Sequence, residues 1–197
     1  MLKKKFSDQI EVGCDESGRG CLAGPVVAAA VLLPESFNNK NLNDSKKLSK
    51  KKREILEKII KNQSISYGIG IVSPKEIDKI NILNASFLAM HRAINKISHK
   101  YEILLIDGNR FNQYKTVKHE CIIKGDSKYM SIAAASILAK TARDEIMKDL
   151  SKKFPKYSWE NNKGYPTKKH RDALKKFGAN KYHRKSFQLV PSQTELF

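Results

Sequence analysis

Three separated apolar runs each lead into an acidic residue with a glycine close by, and this recurrence restricts the fold more than any other feature. Gln9 to Cys14 runs into Asp15 and Glu16, followed by Gly18 and Gly20. Glu102 to Ile106 runs into Asp107-Gly108, and Cys121 to Lys124 into Gly125-Asp126. Short apolar runs bounded by turn residues read as strands. In an open α/β sheet ligands collect at strand ends, and several carboxylates brought together there need a cation to offset their repulsion. An all-oxygen donor set suits a hard ion such as Mg²⁺ or Mn²⁺. Two such ions about 3.5–4 Å apart are the usual arrangement for phosphodiester hydrolysis.

Asp15 and Glu16 raise a local difficulty, because successive strand side chains point to opposite faces. The expectation is that the chain leaves the strand at this point, using the conformational freedom of Gly18 and Gly20. Arg19 places a fixed cation beside the acids. The octapeptide Gly13–Gly20 taken alone fits an ordinary hairpin turn equally well; the two further acid-ended runs tip the balance.

The other elements read plainly. Val26 to Leu33 is a second strand, buried on both faces and hairpin-paired to the first. Ser49 caps a helix to about Lys61 with Ile55, Leu56, Ile59 and Ile60 inward, and Ser64 to Val72 alternates as a third strand. Ser73-Pro74-Lys75-Glu76 forms a capping box ahead of a helical stretch interrupted near Asn81. A long helix from about Lys128 carries the small residues Ala133, Ala134, Ala135, Ser136 and Ala139, with Arg143, Asp144 and Glu145 expected on its solvent side. Asp126 lies near the positive end of this helix, with a plain N-cap role, for it or Ser127, as the alternative. A short helix from Thr167 to Phe177 closes the folded region. These elements predict an α/β fold: a five-stranded mixed sheet flanked by helices over 1–150, and a basic helical extension over 151–197 packed on the same domain.

The 197 residues include 38 Lys+Arg against 20 Asp+Glu, a net charge of +18. The excess is uneven, with 12 basic against two acidic residues over 151–185 and seven against one over 40–53. That distribution points to a polyanion, most often nucleic acid. Cys14, Cys21 and Cys121 have no metal-ligand spacing and are odd in number, which fits a reduced, cytoplasmic setting. No apolar run is long enough to span a bilayer, and nothing demands a partner subunit, so a monomer is expected. His91, His99, His119, His170 and His183 all lie outside the acidic motifs, so no histidine base is required.

In chain order the motifs Asp15-Glu16-Ser17-Gly18-Arg19-Gly20, Leu42-Asn43-Asp44-Ser45-Lys46-Lys47-Leu48, Ile106-Asp107-Gly108-Asn109, Lys124-Gly125-Asp126, Ser131–Lys140, Gly164-Tyr165-Pro166-Thr167 and His183-Arg184-Lys185-Ser186-Phe187 resemble those of bacterial ribonuclease HII. Ser17 stands where the family more often has alanine, a small-for-small exchange. The resemblance implies a ribonuclease H-like fold. It also implies an endoribonuclease that cuts the RNA strand of RNA–DNA hybrids, and duplex DNA on the 5′ side of a single ribonucleotide. Asp15, Glu16, Asp107 and Asp126 would be the catalytic acids holding two Mg²⁺ or Mn²⁺ ions, and the products would be 5′-phosphate and 3′-hydroxyl ends, as in ribonucleotide excision repair and RNA primer removal. It assigns substrate contacts to Gly18, Arg19 and Gly20 at the 2′-hydroxyl, to Tyr165 at the neighbouring deoxyribose, and to Ser45, Lys46, Lys47 and Asn81 along the backbone. Helix capping serves Asn81 equally well. The final residues, with Gln193, Leu196 and Phe197, resemble short peptides that bind sliding clamps; a disordered tail is the alternative. Ribonuclease HIII is the nearest rival, but its glycine motif carries lysine where this chain has Arg19, and it normally has an added N-terminal domain for which little chain precedes Asp15. A non-catalytic hybrid-binding protein is the rival from another class, and the acids argue against it, since carboxylates repel phosphate unless metals intervene.

Overall fold

The structure, a computed structural model, describes residues 2–43 and 45–190. Five strands form one mixed sheet in the order β3-β2-β1-β4-β5: β1 (Glu11–Ser17), β2 (Val26–Leu32), β3 (Ser66–Val72), β4 (Ile103–Asp107) and β5 (Lys118–Ile122). β1, β2 and β3 run antiparallel in sequence, whereas β4 lies parallel to β1 and β5 parallel to β4. Every residue of β2 is buried, as an uninterrupted apolar run predicts for a central strand.

Helices cover both faces. Val26, Ala28, Ala30 and Leu32 of β2 face α2 (Pro74–Ile94), with Ile77, Ala85, Ala89 and Ala93 in the same core. Ala29 and Val31 face the opposite way, against α1 (Lys50–Gln63) and the alanine-rich start of α3 (Met130–Lys153). The small side chains of α3 let it approach the sheet closely, and Gly13 completes that fit. A Cβ at position 13 would come within 2.2 Å of the Ser131 carbonyl carbon, so only glycine admits the helix there.

Local signals formed as expected. Ser49 caps α1, and Ser73 and Glu76 form the reciprocal capping box of α2. α2 breaks at Asn81, whose backbone is non-helical at φ 65°, ψ 167°. The Asn81 side chain accepts from the Asn84 backbone amide at 3.0 Å, restarting the helix as an internal cap.

Past α3, α4 (Trp159–Asn162) and α5 (Lys168–Phe177) pack around a separate aromatic core. It includes Trp159, Tyr157 and Leu174, together with Leu22 and Ala23 from the loop after β1 and Met147 and Leu150 from α3. The basic extension is thus joined to the sheet domain by apolar burial and holds the loop that follows β1.

Several expectations need correction. β1 does not end at Asp15: it stays paired with β2 through Asp15↔Ala29, Glu16↔Ala28 and Ser17↔Val27. The third acid does not end a strand, because β5 stops at Ile122 and Asp126 lies in a 3-10 turn, Gly125–Ser127. Neither Asp126 nor Ser127 caps α3, whose N-cap is Tyr129. Finally, Arg143 is fully buried rather than solvent-facing, and Asp144 is half-buried against Lys140 and Arg53; Glu145 alone of the three is exposed.

Candidate active site

The acids meet because two parallel strands part. β1 and β4 are in register from Glu11↔Ile103 to Cys14↔Ile106 and no further, while β1 continues along β2 to Ser17. Beyond Cys14 the β4 side of β1 has lost its neighbour. Asp15, Glu16 and Asp107, at the end of β4, all line the cleft of about 420 Å³ that opens there. Splaying of adjacent parallel strands, rather than departure of the chain from β1, lets Asp15 and Glu16 share a site.

Each carboxylate is pinned by a local donor. Asp15 Oδ1 accepts from the Glu16 amide at 2.6 Å, Glu16 Oε1 accepts from Arg19 Nη1 at 3.2 Å, and Asp107 Oδ1 accepts from the Gly125 amide at 2.7 Å. Through that last bond the turn carrying Asp126 is tied to Asp107. Asp126 is itself buried and is not among the residues lining the cleft. Burial is the main force raising the Asp15 carboxyl well above the usual range, and the Glu16 and Asp107 charges add to it; the Ser136 hydroxyl and the Glu16 amide act in the opposite direction. Burial also raises Glu16, and Asp107 repels it, while Arg19 partly compensates. Ionisation of Asp15 and Glu16 together is thus opposed both by burial and by the neighbouring acids.

Among the described residues no group of three His, Cys, Asp or Glu side chains is set to hold a metal ion as it stands. The donor chemistry nonetheless fits a hard divalent cation. The groups are all carboxylates, they repel one another, and Glu16 Oε2 is buried with no hydrogen-bond partner. An orphaned buried carboxylate oxygen costs about 1–3 kcal/mol or more, and a cation in the cleft would relieve that cost and the repulsion together.

The remaining expected contacts distribute unevenly. Gly18, Arg19, Gly20, Ser45, Lys46 and Tyr165 line the same cleft as the three acids. Lys47 is exposed on the 3-10 turn Ser45–Lys47, and neither it nor Asn81, on the exposed break in α2, lines that cleft. The glycine loop divides its labour. Gly18 has φ +98°, and a Cβ there would strike the Arg143 guanidinium, whereas a Cβ at Gly20 would meet nothing within 4 Å. Gly18 is thus required for packing, and only Gly20 leaves open room for a ligand.

Sequence reasoning missed four contributors. Ser136 looked like one more small residue of α3, yet its hydroxyl lies 2.9 Å from Ser45 Oγ and also serves Asp15. Lys140 lines the cleft while paired to Asp144. Arg143 donates to the carbonyls of Pro25, Ala23 and Lys163 at 3.0, 3.0 and 2.9 Å and lies 5.9 Å from the Tyr165 ring centroid. Arg184, fully buried, holds the glycine loop from beneath. The only advance signal for Arg184 was its place in an unassigned motif.

A five-stranded mixed sheet bearing acids at the parted ends of two central parallel strands defines a ribonuclease H-like fold. The ribonuclease H2 of Pyrococcus horikoshii shares that fold, with a TM-score of 0.76 at 24% identity over 91% of this chain and 94% of that one. Bst-RNase HIII, solved with Mn²⁺, shares it with a TM-score of 0.74 at 18% identity over 91% of this chain and 67% of its own. A family-wide profile described as Ribonuclease HII matches residues 12–190. The ribonuclease HII of Parabacteroides distasonis is 60% identical over 196 residues, covering 100% of this chain and 98% of that protein, and that of Christiangramia forsetii is 60% identical over 93% of each. The chain belongs to the ribonuclease HII family, and with it to the endoribonucleases that act on RNA–DNA hybrids. An archaeal RNase HII from Archaeoglobus fulgidus, solved in complex with PCNA, has a TM-score of 0.76 at 26% identity over 95% of this chain and all of that one.

Proposed function

We propose that the chain hydrolyses the phosphodiester on the 5′ side of a ribonucleotide, in hybrids and at single ribonucleotides embedded in duplex DNA, leaving 5′-phosphate and 3′-hydroxyl ends. The observation that carries this reading is the convergence of Asp15, Glu16 and Asp107 with the Gly18–Gly20 loop and Tyr165 on one cleft. Asp15, Glu16, Asp107 and Asp126 are the residues that would hold two Mg²⁺ or Mn²⁺ ions. When bound, such ions supply an activated water and offset the charge on the leaving oxygen.

The protein's own groups do the rest. Arg19 holds Glu16 in place. Ser136 and the Glu16 amide orient Asp15, and the Gly125 amide orients Asp107. The open side of Gly20 admits a ribose edge, where the 2′-hydroxyl separates RNA from DNA. Tyr165, 38% exposed, offers its ring to the neighbouring sugar. Its backbone is held by the amide of Thr167 and by His170 Nδ1, both at its carbonyl. Ser45, Lys46, Lys47, Asn81 and the basic 151–185 segment serve the phosphates without reading sequence. This activity belongs to excision of misincorporated ribonucleotides and to primer removal, in the cytoplasm, by a monomer with its catalytic core in 1–150 and a basic extension in 151–197.

The test is a duplex carrying one ribonucleotide, incubated with Mg²⁺, with Mn²⁺ or with neither. Cleavage 5′ of the ribonucleotide in metal alone is expected, and binding without cleavage under every condition would favour a non-catalytic hybrid-binding protein. Gln193, Leu196 and Phe197 lie outside the described residues. Their clamp-binding role is supported by their sequence and by the Archaeoglobus complex with PCNA. Unchanged clamp affinity after Leu196→Ala with Phe197→Ala would remove it.

A further inference from the structure

We infer that Arg184 is a positioning residue for ribose recognition: by gripping the carbonyls of Gly18 and Arg19 it turns the amides of Arg19 and Gly20 outward as a paired hydrogen-bond donor. Arg184 Nη2 donates to Gly18 O at 2.7 Å, Nη1 to Arg19 O at 2.8 Å and Nε to Gly24 O at 3.1 Å. Three directed bonds from one rigid planar fork hold a loop about 165 residues earlier in the chain.

The consequence follows from the peptide bond itself. In a planar trans peptide the C=O and the following N–H point in opposite directions, and the structure contains no cis peptide among the described residues. With both carbonyls drawn toward buried Arg184, the N–H groups of Arg19 and Gly20 face away from it. Neither amide finds an acceptor among the described residues. On the outward side Gly20 has open space, and the loop lines the cleft beside the acids. Two adjacent amides so aimed suit an oxygen acceptor, and the ribose 2′-oxygen is the one that distinguishes substrate from DNA.

Arg184 is itself fixed. Its amide donates to Leu22 O at 2.9 Å, and its guanidinium lies 5.2 Å from the Phe187 ring centroid. The next two residues are tied to α2: Asp78 accepts from the amides of Lys185 and Ser186 at 3.1 and 2.9 Å and from the Ser186 hydroxyl at 2.7 Å. Arg143 supports the far side of the same loop, so that the loop is braced by two buried guanidinium groups.

The inference rests on ribose recognition by this loop, and the experiment separates the two. kcat/KM is measured on paired substrates bearing either a ribose or a 2′-fluoro-2′-deoxyribose at the cut, for the unaltered protein, Arg184→Lys and Asp78→Asn. Lysine keeps the charge but cannot bridge both carbonyls, and Asp78→Asn loosens the turn while leaving Arg184 in place. The unaltered protein should favour ribose strongly. Arg184→Lys should lose roughly 10–100-fold on ribose and much less on the fluoro substrate, so its preference shrinks, and Asp78→Asn should shift the same way by less. A merely structural role would lower both substrates equally and track the loss of thermal stability. Equal losses, or an unchanged preference in both variants, would overturn the inference. Absence of any ribose preference in the unaltered protein would instead overturn the loop's role in reading the sugar.

Discussion

β1 carries a glutamate near each end, and only one of them belongs to the candidate site. Glu11 and Glu16 are alike in having one buried carboxylate oxygen without a partner and in a carboxyl raised chiefly by desolvation. Glu11 even borders the roomier cavity, about 520 Å³ against about 420 Å³. Their neighbours differ. Glu11 Oε2 accepts from the Phe6 amide at 2.9 Å and lies near Lys5, and β1 is still paired with β4 there. Glu16 has two further acids and an opening between parted strands. Burial and an elevated pKa are common to structural and functional carboxylates; what separates them here is like charge forced together where the sheet opens.

The contrast is broken most severely at Asp107. Asp107→Asn should lower hydrolysis by about a thousand-fold, read as cleavage of a hybrid duplex. Removing one of three repelling charges should at the same time leave the melting temperature equal or higher. A fall in both would mean that Asp107 is a structural carboxylate like Glu11.

The paired substitution comes next. Glu16→Gln should cost about a hundred-fold in rate, whereas Glu11→Gln should stay within about twofold and change stability by about 1 kcal/mol. Comparable activity losses would show that the two ends are not distinct.

The smallest effect concerns pH, where the histidines beneath Tyr165 act against the cleft acids. Trp159 Nε1 donates to His170 Nε2 at 3.0 Å, and His183 Nε2 lies 3.2 Å from the same atom. Burial, then His170, pushes His183 down to about 4. An unfolded histidine titrates near 6.5, so between roughly pH 6.5 and 4 the unfolded chain binds more protons and acid destabilises the fold. Asp15 and Glu16, raised by burial, have the opposite sign: their burden is greatest when ionised and eases as pH falls. Melting from pH 7 to 5 should therefore decline by about 1–2 kcal/mol if the histidines dominate, and His183→Gln should flatten or reverse the slope.

Much of the architecture was legible because its signals are local. The capping residues Ser49 and Ser73, the uninterrupted apolar run of β2, and the break at Asn81 depend on neighbours within a few residues, which sequence displays directly. The limits of β1 and β5 were misjudged because pairing partners, rather than composition, decide where a strand stops. Arg143 was placed in solvent because a charged residue on a helix usually is there; its burial depends on carbonyls from Ala23, Pro25 and Lys163.

The sequence by itself determined the ingredients: a mixed α/β fold, a basic surface, and acids and glycines of a type suited to cations and phosphodiesters. Tertiary structure alone decided that β1 and β4 part after Cys14, that the turn carrying Asp126 is bonded to Asp107, and that a guanidinium near the end of the described chain grips the loop after the first strand. The reason is geometric. Repulsion between carboxylates and the direction of a peptide amide depend on separations and angles in space, and residues about 90 to 165 positions apart acquire these only when the sheet closes around them.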